Sequence, residues 1–266
     1  MDKVNAFLFG VYPYVCLSVF LMGSLARFDR DQYTWKSDSS QMLRKKSLSW
    51  ASNLFHAGIL FLFFGHTVGL LTPHWVYEPF VTPGQKQILA VTAGGIAGAV
   101  CFVGLTGLIW RRTTDPRIRL TSHRTDLAIL LILWVQLSLG LVTLPYSVGH
   151  SDGSTMLVLS AWAQGVFTFR PDAASIAALD WPFRIHLVLG MTIFLLFPFS
   201  RLVHVWSGFA SVAYLLRPYQ VVRARRLNVP KRHNAPPLAG QVPAPVETGA
   251  PGTAPAGASG IAKGAA

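Results

Sequence analysis

SWASNLFHAGILFLFFGHTVGLL, residues Ser49 to Leu71, runs without a formal charge and carries two histidines, His56 and His66. A stretch this long and apolar reads as a helix crossing a bilayer, whose hydrocarbon core takes about 20 residues in helical form. An ionisable side chain is costly at that depth, so a histidine there marks a functional site by default. A second apolar stretch, Phe183 to Trp206, repeats the feature with His186 and His204. Imidazole is also the side chain best suited to ligate a buried metal.

Around these two stretches the rest of the chain is built the same way. Hydrophobic residues make up 52% and charged residues 13%, about half the charged share of a soluble domain, so the chain cannot coat a globule of its size with charge. Three more segments are long enough to span: Val4 to Ala26, Ile88 to Trp110 and Asp126 to Pro145. A sixth apolar stretch, Met156 to Phe169, is too short to cross, and its length suits an interfacial helix. Ser24-Leu25-Ala26 resembles a cleavage site, but the preceding run is long, has only Lys3 as a positive flank and is followed by basic residues, so it is expected to stay as the first span. The fold class expected is an all-α integral membrane bundle of five transmembrane helices.

Nineteen of the 23 Lys and Arg residues fall in Arg27 to Lys46, Arg111 to Arg124 and from Arg201 onward, on one side of that topology. Positive residues mark the cytoplasmic side, which places the N-terminus outside and the C-terminus in the cytoplasm. The net charge of +12 is divided among loops rather than gathered on a soluble face, which argues against nucleic-acid binding. Residues 1–226 form the expected membrane domain. Residues 227–266, rich in Pro, Ala and Gly, lack an apolar period and are expected to be a disordered tail. Cys16 and Cys101 lie within spans and form no haem-attachment or zinc motif.

On one continuous helix the 18 residues from His186 to His204 make five turns, placing both on the same face roughly 27 Å apart, while His56 and His66 are roughly 15 Å apart. The two helices run in opposite senses, so His56 and His204 lie toward the cytoplasm and His66 and His186 toward the exterior. Each cross-pair has the two imidazoles that hold one non-covalent haem iron, which points to two haems stacked through the membrane. The unequal separations require strong tilt, or a His204 placed at the very end of its span. Glycines of the second span (Gly58, Gly65, Gly69) and third span (Gly94, Gly95, Gly98, Gly104, Gly107) fit either a flat macrocycle or close contact between helices. Single membrane histidines also serve as hydrogen-bonding partners between helices, and His74, His123, His150 and His233 read as solvated residues of loops and tail.

QYTWKSDSSQML (Gln32 to Leu43), ASNLFHAGIL (Ala51 to Leu60), GHTVGLLTPHW (Gly65 to Trp75) and RIHLVLGMTIFLLFPFSRLVHVW (Arg184 to Trp206) resemble the gamma subunit of respiratory nitrate reductase, a five-span dihaem cytochrome b of the bacterial or archaeal plasma membrane. The resemblance implies two b-type haems, the cytoplasmic one on His56 and His204 and the outer one on His66 and His186. It further implies quinol oxidation beside the outer haem, with Lys86 as the quinol-site lysine, His66 contributing, and Gly69 leaving room for the ring. Electrons would leave to a cytoplasmic iron-sulfur beta subunit and a molybdenum-cofactor alpha subunit that reduces nitrate. Arg111, Arg112 and Arg201 are candidates for pairing with haem propionates, with ordinary positive-inside anchoring as the alternative. Tyr33 to Arg44 and the region after His204 are the expected docking surfaces. A dihaem subunit of a sulfite- or heterodisulfide-reducing complex, a transporter or proton channel using the histidines, and a structural membrane anchor are the other readings.

Overall fold

The computed structural model describes residues 3–30, 45–149 and 152–206, which lie in one compact unit, Met1–Arg217. The docking stretch Tyr33 to Arg44 and the tail 227–266 lie outside the described residues. Among those described there is no strand. The helices are α1 (Lys3–Arg30), α2 (Lys45–Leu71), the short α3 (His74–Tyr77), α4 (Pro83–Thr114), the short α5 (Pro116–Thr121), α6 (Arg124–Val148), α7 (Ser154–Phe167), the short α8 (Ala173–Ala177) and α9 (Trp181–Leu196). Five of these segments, α1, α2, α4, α6 and α9 with its following turn, are long and apolar enough to cross a membrane.

Local chemistry sets the ends. α4 opens on Thr82-Pro83-Gly84-Gln85: the Thr82 hydroxyl accepts from Gln85 N at 3.3 Å, and the Gln85 amide oxygen accepts from Thr82 N at 3.0 Å. This reciprocal cap satisfies two orphan helix donors, with Pro83 pre-set for the first turn. In α1, Pro13 has no N–H to give the carbonyl of Phe9 four residues back. The helix loosens to a π turn over Phe7–Val11, and the Trp162 indole N–H from α7 donates to Phe9 O at 2.9 Å in its place.

α2 packs on α4, α4 on α6, α6 on α9 and α9 on α1. The α2–α4 seam is backbone against backbone: a Cβ on Gly104 would lie 2.4 Å from Phe55 N, and one on Gly58 would lie 2.6 Å from Cys101 Cβ. Gly98 and Gly107 also face close neighbours, whereas a Cβ on Gly65 or Gly94 would meet nothing within 4 Å. The two readings of these glycines therefore divide by position, with Gly58, Gly98, Gly104 and Gly107 serving helix contact.

α7 is short, as its sequence indicated, and its Trp162, Ala163 and Val166 join a small core with Phe9, Ala173 and Ile176. One expectation is corrected. The fifth span is not one helix from Phe183 to Trp206. It stops at Leu196, continues as tight turns over Phe197–Phe199 and Arg201–Val203, and is extended at Ser200 (φ −116°, ψ 174°). Pro198 accounts for the stop, since its ring clashes with a helical backbone and it brings no N–H.

Candidate functional site

The bundle brings the four span histidines together in two pairs. His56 and His204 have ring centroids 6.4 Å apart with planes at 73°, and His66 and His186 have centroids 6.3 Å apart with planes at 40°. The break after Leu196 disposes of the unequal-height problem, because the five-turn count does not apply to His204. α2 and α9 form no packed helix seam of their own. The His66 and His186 rings approach each other between them.

Each imidazole is oriented through Nδ1. That atom stands 2.7 Å from Ser52 O in His56, 2.7 Å from Leu62 O in His66, 2.6 Å from Arg201 O in His204 and 3.1 Å from Gln136 O in His186. A carbonyl only accepts, so Nδ1 is the donor in all four rings and Nε2 is the nitrogen left for another partner. Two rings sharing one metal atom through Nε2 need about 2 Å of bond on each side plus roughly 1.1 Å from nitrogen to ring centre, a little over 6 Å in total. Both pairs have that spacing. Among the described residues no three His, Cys, Asp or Glu gather to hold a bare ion.

His186 differs in taking its carbonyl from another helix. Its ring lies against α6 at Gly140, where a Cβ would come within 3.0 Å of Cε1. The Gln136 amide nitrogen donates to His186 O at 3.1 Å and stands 3.4 Å from Nε2, the weaker of the two approaches.

Lys86 lies in the first turn of α4. Its ammonium sits 3.8 Å above the Tyr77 ring, is closed off from solvent and has no hydrogen-bond acceptor among the described residues. Burial, with the Glu78 charge second, holds the Tyr77 phenol above its ordinary range, so it stays neutral. Gly69 faces α7, where a Cβ would lie 3.3 Å from Met156 Cε. Gln87 ties this end together, donating to Ser147 O at 2.7 Å and accepting from Met156 N at 3.2 Å.

At the His56 end, Arg112 and Arg201 converge on one carboxylate. Their Nη1 atoms stand 3.3 Å and 3.0 Å from Asp126 Oδ2. Arg111 is buried and lines a cavity of about 550 Å³ with Trp50, Trp110 and Asp115.

The nitrate reductase gamma subunit family model matches residues 5–225. The chain belongs to the nitrate reductase gamma subunit family. The respiratory nitrate reductase 2 gamma chain of Escherichia coli is 51% identical over 227 residues, covering 85% of this chain and 100% of the relative. The respiratory nitrate reductase 1 gamma chain of the same organism is 51% identical over 226 residues, with the same shares covered. The nitrate reductase gamma chain of Bacillus subtilis is 36% identical over 219 residues, covering 82% of this chain and 97% of the relative.

In this gamma subunit, the sequence pointed to the four rings but not to the side chains around them: it gave no role to Gln136, Gly140 or Asp126. Gln136 and Asp126 had a signal, being polar residues in or at the edge of an apolar span. Gly140 had none, since glycines are common in membrane helices.

Proposed function

We propose that this gamma subunit is the quinol-oxidising cytochrome b subunit of a quinol:nitrate oxidoreductase, with one non-covalent b-type haem held by His56 and His204 and another by His66 and His186. The carrying observation is that all four Nδ1 atoms are tied to carbonyls while the rings pair at 6.4 and 6.3 Å. A pair of imidazoles is too few ligands for a bare ion but would suffice to hold an iron porphyrin, which would supply one-electron transfer when bound.

We assign quinol to the His66 end, where Lys86 has an occluded ammonium with no hydrogen-bond acceptor among the described residues. Its Nζ donates a hydrogen bond to a quinol oxygen and stabilises negative charge as the hydroxyl proton departs. His66 and Gly69 border the same end of α2. Positive-inside topology puts this end outside, so protons are released outside while electrons travel inward to an iron-sulfur beta subunit and a molybdenum-cofactor alpha subunit. Each charge moved conserves about 2.3 kcal/mol per 100 mV. Arg111, Arg112 and Arg201 remain the proposed propionate partners at the cytoplasmic end, Arg112 and Arg201 dividing their guanidinium groups between a propionate and Asp126.

The test is a reduced-minus-oxidised spectrum with haem quantitation on the purified membrane protein. Two b-type haems per chain are expected, and none when all four histidines are changed to Ala. Two haems retained in that variant would overturn the reading.

A further inference from the structure

We propose that Arg27 and Asp126 are positioning residues for His204, holding from two other helices the broken backbone on which that ring is mounted; the proposal rests on His204 being a haem ligand. His56 and His66 are oriented by carbonyls of the turn before them in a regular helix. His204 also takes a carbonyl of the turn before it, but that turn is not part of a regular helix, because α9 ends at Leu196 and the chain is extended at Ser200 before it turns again. A helix that stops leaves carbonyls without donors.

Arg27 supplies them. Its Nη1 donates to Pro198 O at 2.8 Å and to Ser200 O at 3.0 Å, on either side of the break. α1 comes this near because of Gly23, where a Cβ would lie 2.8 Å from Pro198 Cγ. Ser200 then starts the next turn, its hydroxyl accepting from Leu202 N at 3.2 Å. Arg201 is fixed at its far end by Asp126 of α6, at 3.0 Å. The Arg201 carbonyl accepts from His204 Nδ1 at 2.6 Å. Val203, between them, is fully buried.

Polar contacts from α1 and α6 therefore brace the backbone that carries the imidazole, and the Arg201 carbonyl on that backbone orients the ring, as an outer partner does for a ligating histidine. Asp126 has a second task, since without its charge Arg112 and Arg201 would face each other as like charges. Both arginines are only slightly exposed, so solvent would screen that repulsion weakly.

The experiment uses the full chain in its complex, with Arg27→Met, Arg27→Lys and Asp126→Asn. Haem content is quantified, and low-spin ferric spectra are recorded by electron paramagnetic resonance. The ring planes of the two pairs stand at 73° and 40°, so the two irons are distinguishable by their anisotropy, and the His204 signal is assigned as the one lost in His56→Ala. Arg27→Met and Asp126→Asn are expected to shift that signal and weaken retention of its haem about 10- to 100-fold, as loss of a partner behind a ligand does. The His66/His186 signal in the same chains stays in place and reports on folding. Arg27→Lys, which keeps a donor and the charge, falls between. Equal change in both signals, or change in neither, overturns the proposal. An unchanged protein without haem would overturn the haem reading itself, and is recorded first.

Discussion

The two histidine pairs reach nearly the same spacing by different means. At the His66/His186 end both rings stand on regular helices, and the cross-helix support is close packing: α6 approaches His186 at Gly140 and offers it the carbonyl of Gln136. At the His56/His204 end one ring stands beyond a broken helix, and its support is charged, with Arg27, Arg201, Arg112 and Asp126 gathered around the break. One pair should therefore respond to volume and the other to charge. A bundle whose helices share lipid on the outside has no strong hydrophobic force between spans, so small-residue contact and buried polar contact are the two devices available to it.

The largest expected effect separates the pairs outright. His186→Ala removes one haem per chain and leaves the other with its spectrum intact, and His56→Ala removes the complementary one. Haem quantitation with a redox titration checks this. Loss of both haems from a single substitution would mean that the pairs are one cooperative unit and that the comparison is ill-founded.

Lys86→Met tests whether the His66 end is also where quinol reacts. Removal of a preorganised donor of this kind costs about 10²- to 10³-fold in rate, so quinol-dependent haem reduction should fall by that factor with both haems retained. Reduction by a small artificial donor that bypasses the quinol site should be unaffected. Activity that survives unchanged would move the quinol site elsewhere.

Much of this was legible in the sequence because hydropathy and histidine spacing are one-dimensional signals. All five spans overlap their observed helices, and the antiparallel sense of the second and fifth was enough to pair the rings. The mistake lay in treating Phe183 to Trp206 as a single helix, although Pro198 stood in it and Ser200 followed. Hydropathy favours apolar Phe197-Pro198-Phe199 as readily as any helical turn, so the pattern carried across the proline. Arg27 enters the sequence reading only as a basic residue that sets orientation, and Asp126 only as the start of a span. Their roles depend on what lies across the bundle, at 75 and 171 residues of separation for the contacts to Arg201 and Pro198, and no local pattern reports that. The helix-contact glycines were ambiguous for the same reason, since Gly65 and Gly104 look alike until a neighbour is placed beside each.

Gly140→Ala carries the smallest of these effects and bears most directly on the comparison. In a helix interior the change gains up to about 1 kcal/mol from propensity. Against that, the new Cβ would lie 3.0 Å from His186 Cε1, and overpacking of this kind costs about 1–3 kcal/mol. The ring cannot retreat freely, because moving away from α6 lengthens its 3.1 Å bond to Gln136 O. The clash should therefore prevail, with a small net loss of thermal stability and a shifted spectrum for the His66/His186 haem alone. If Gly140→Ala perturbs that haem alone, volume governs that end of the bundle. If Gly140→Ala instead shifts the His56/His204 signal, the division between a packed end and a charged end fails.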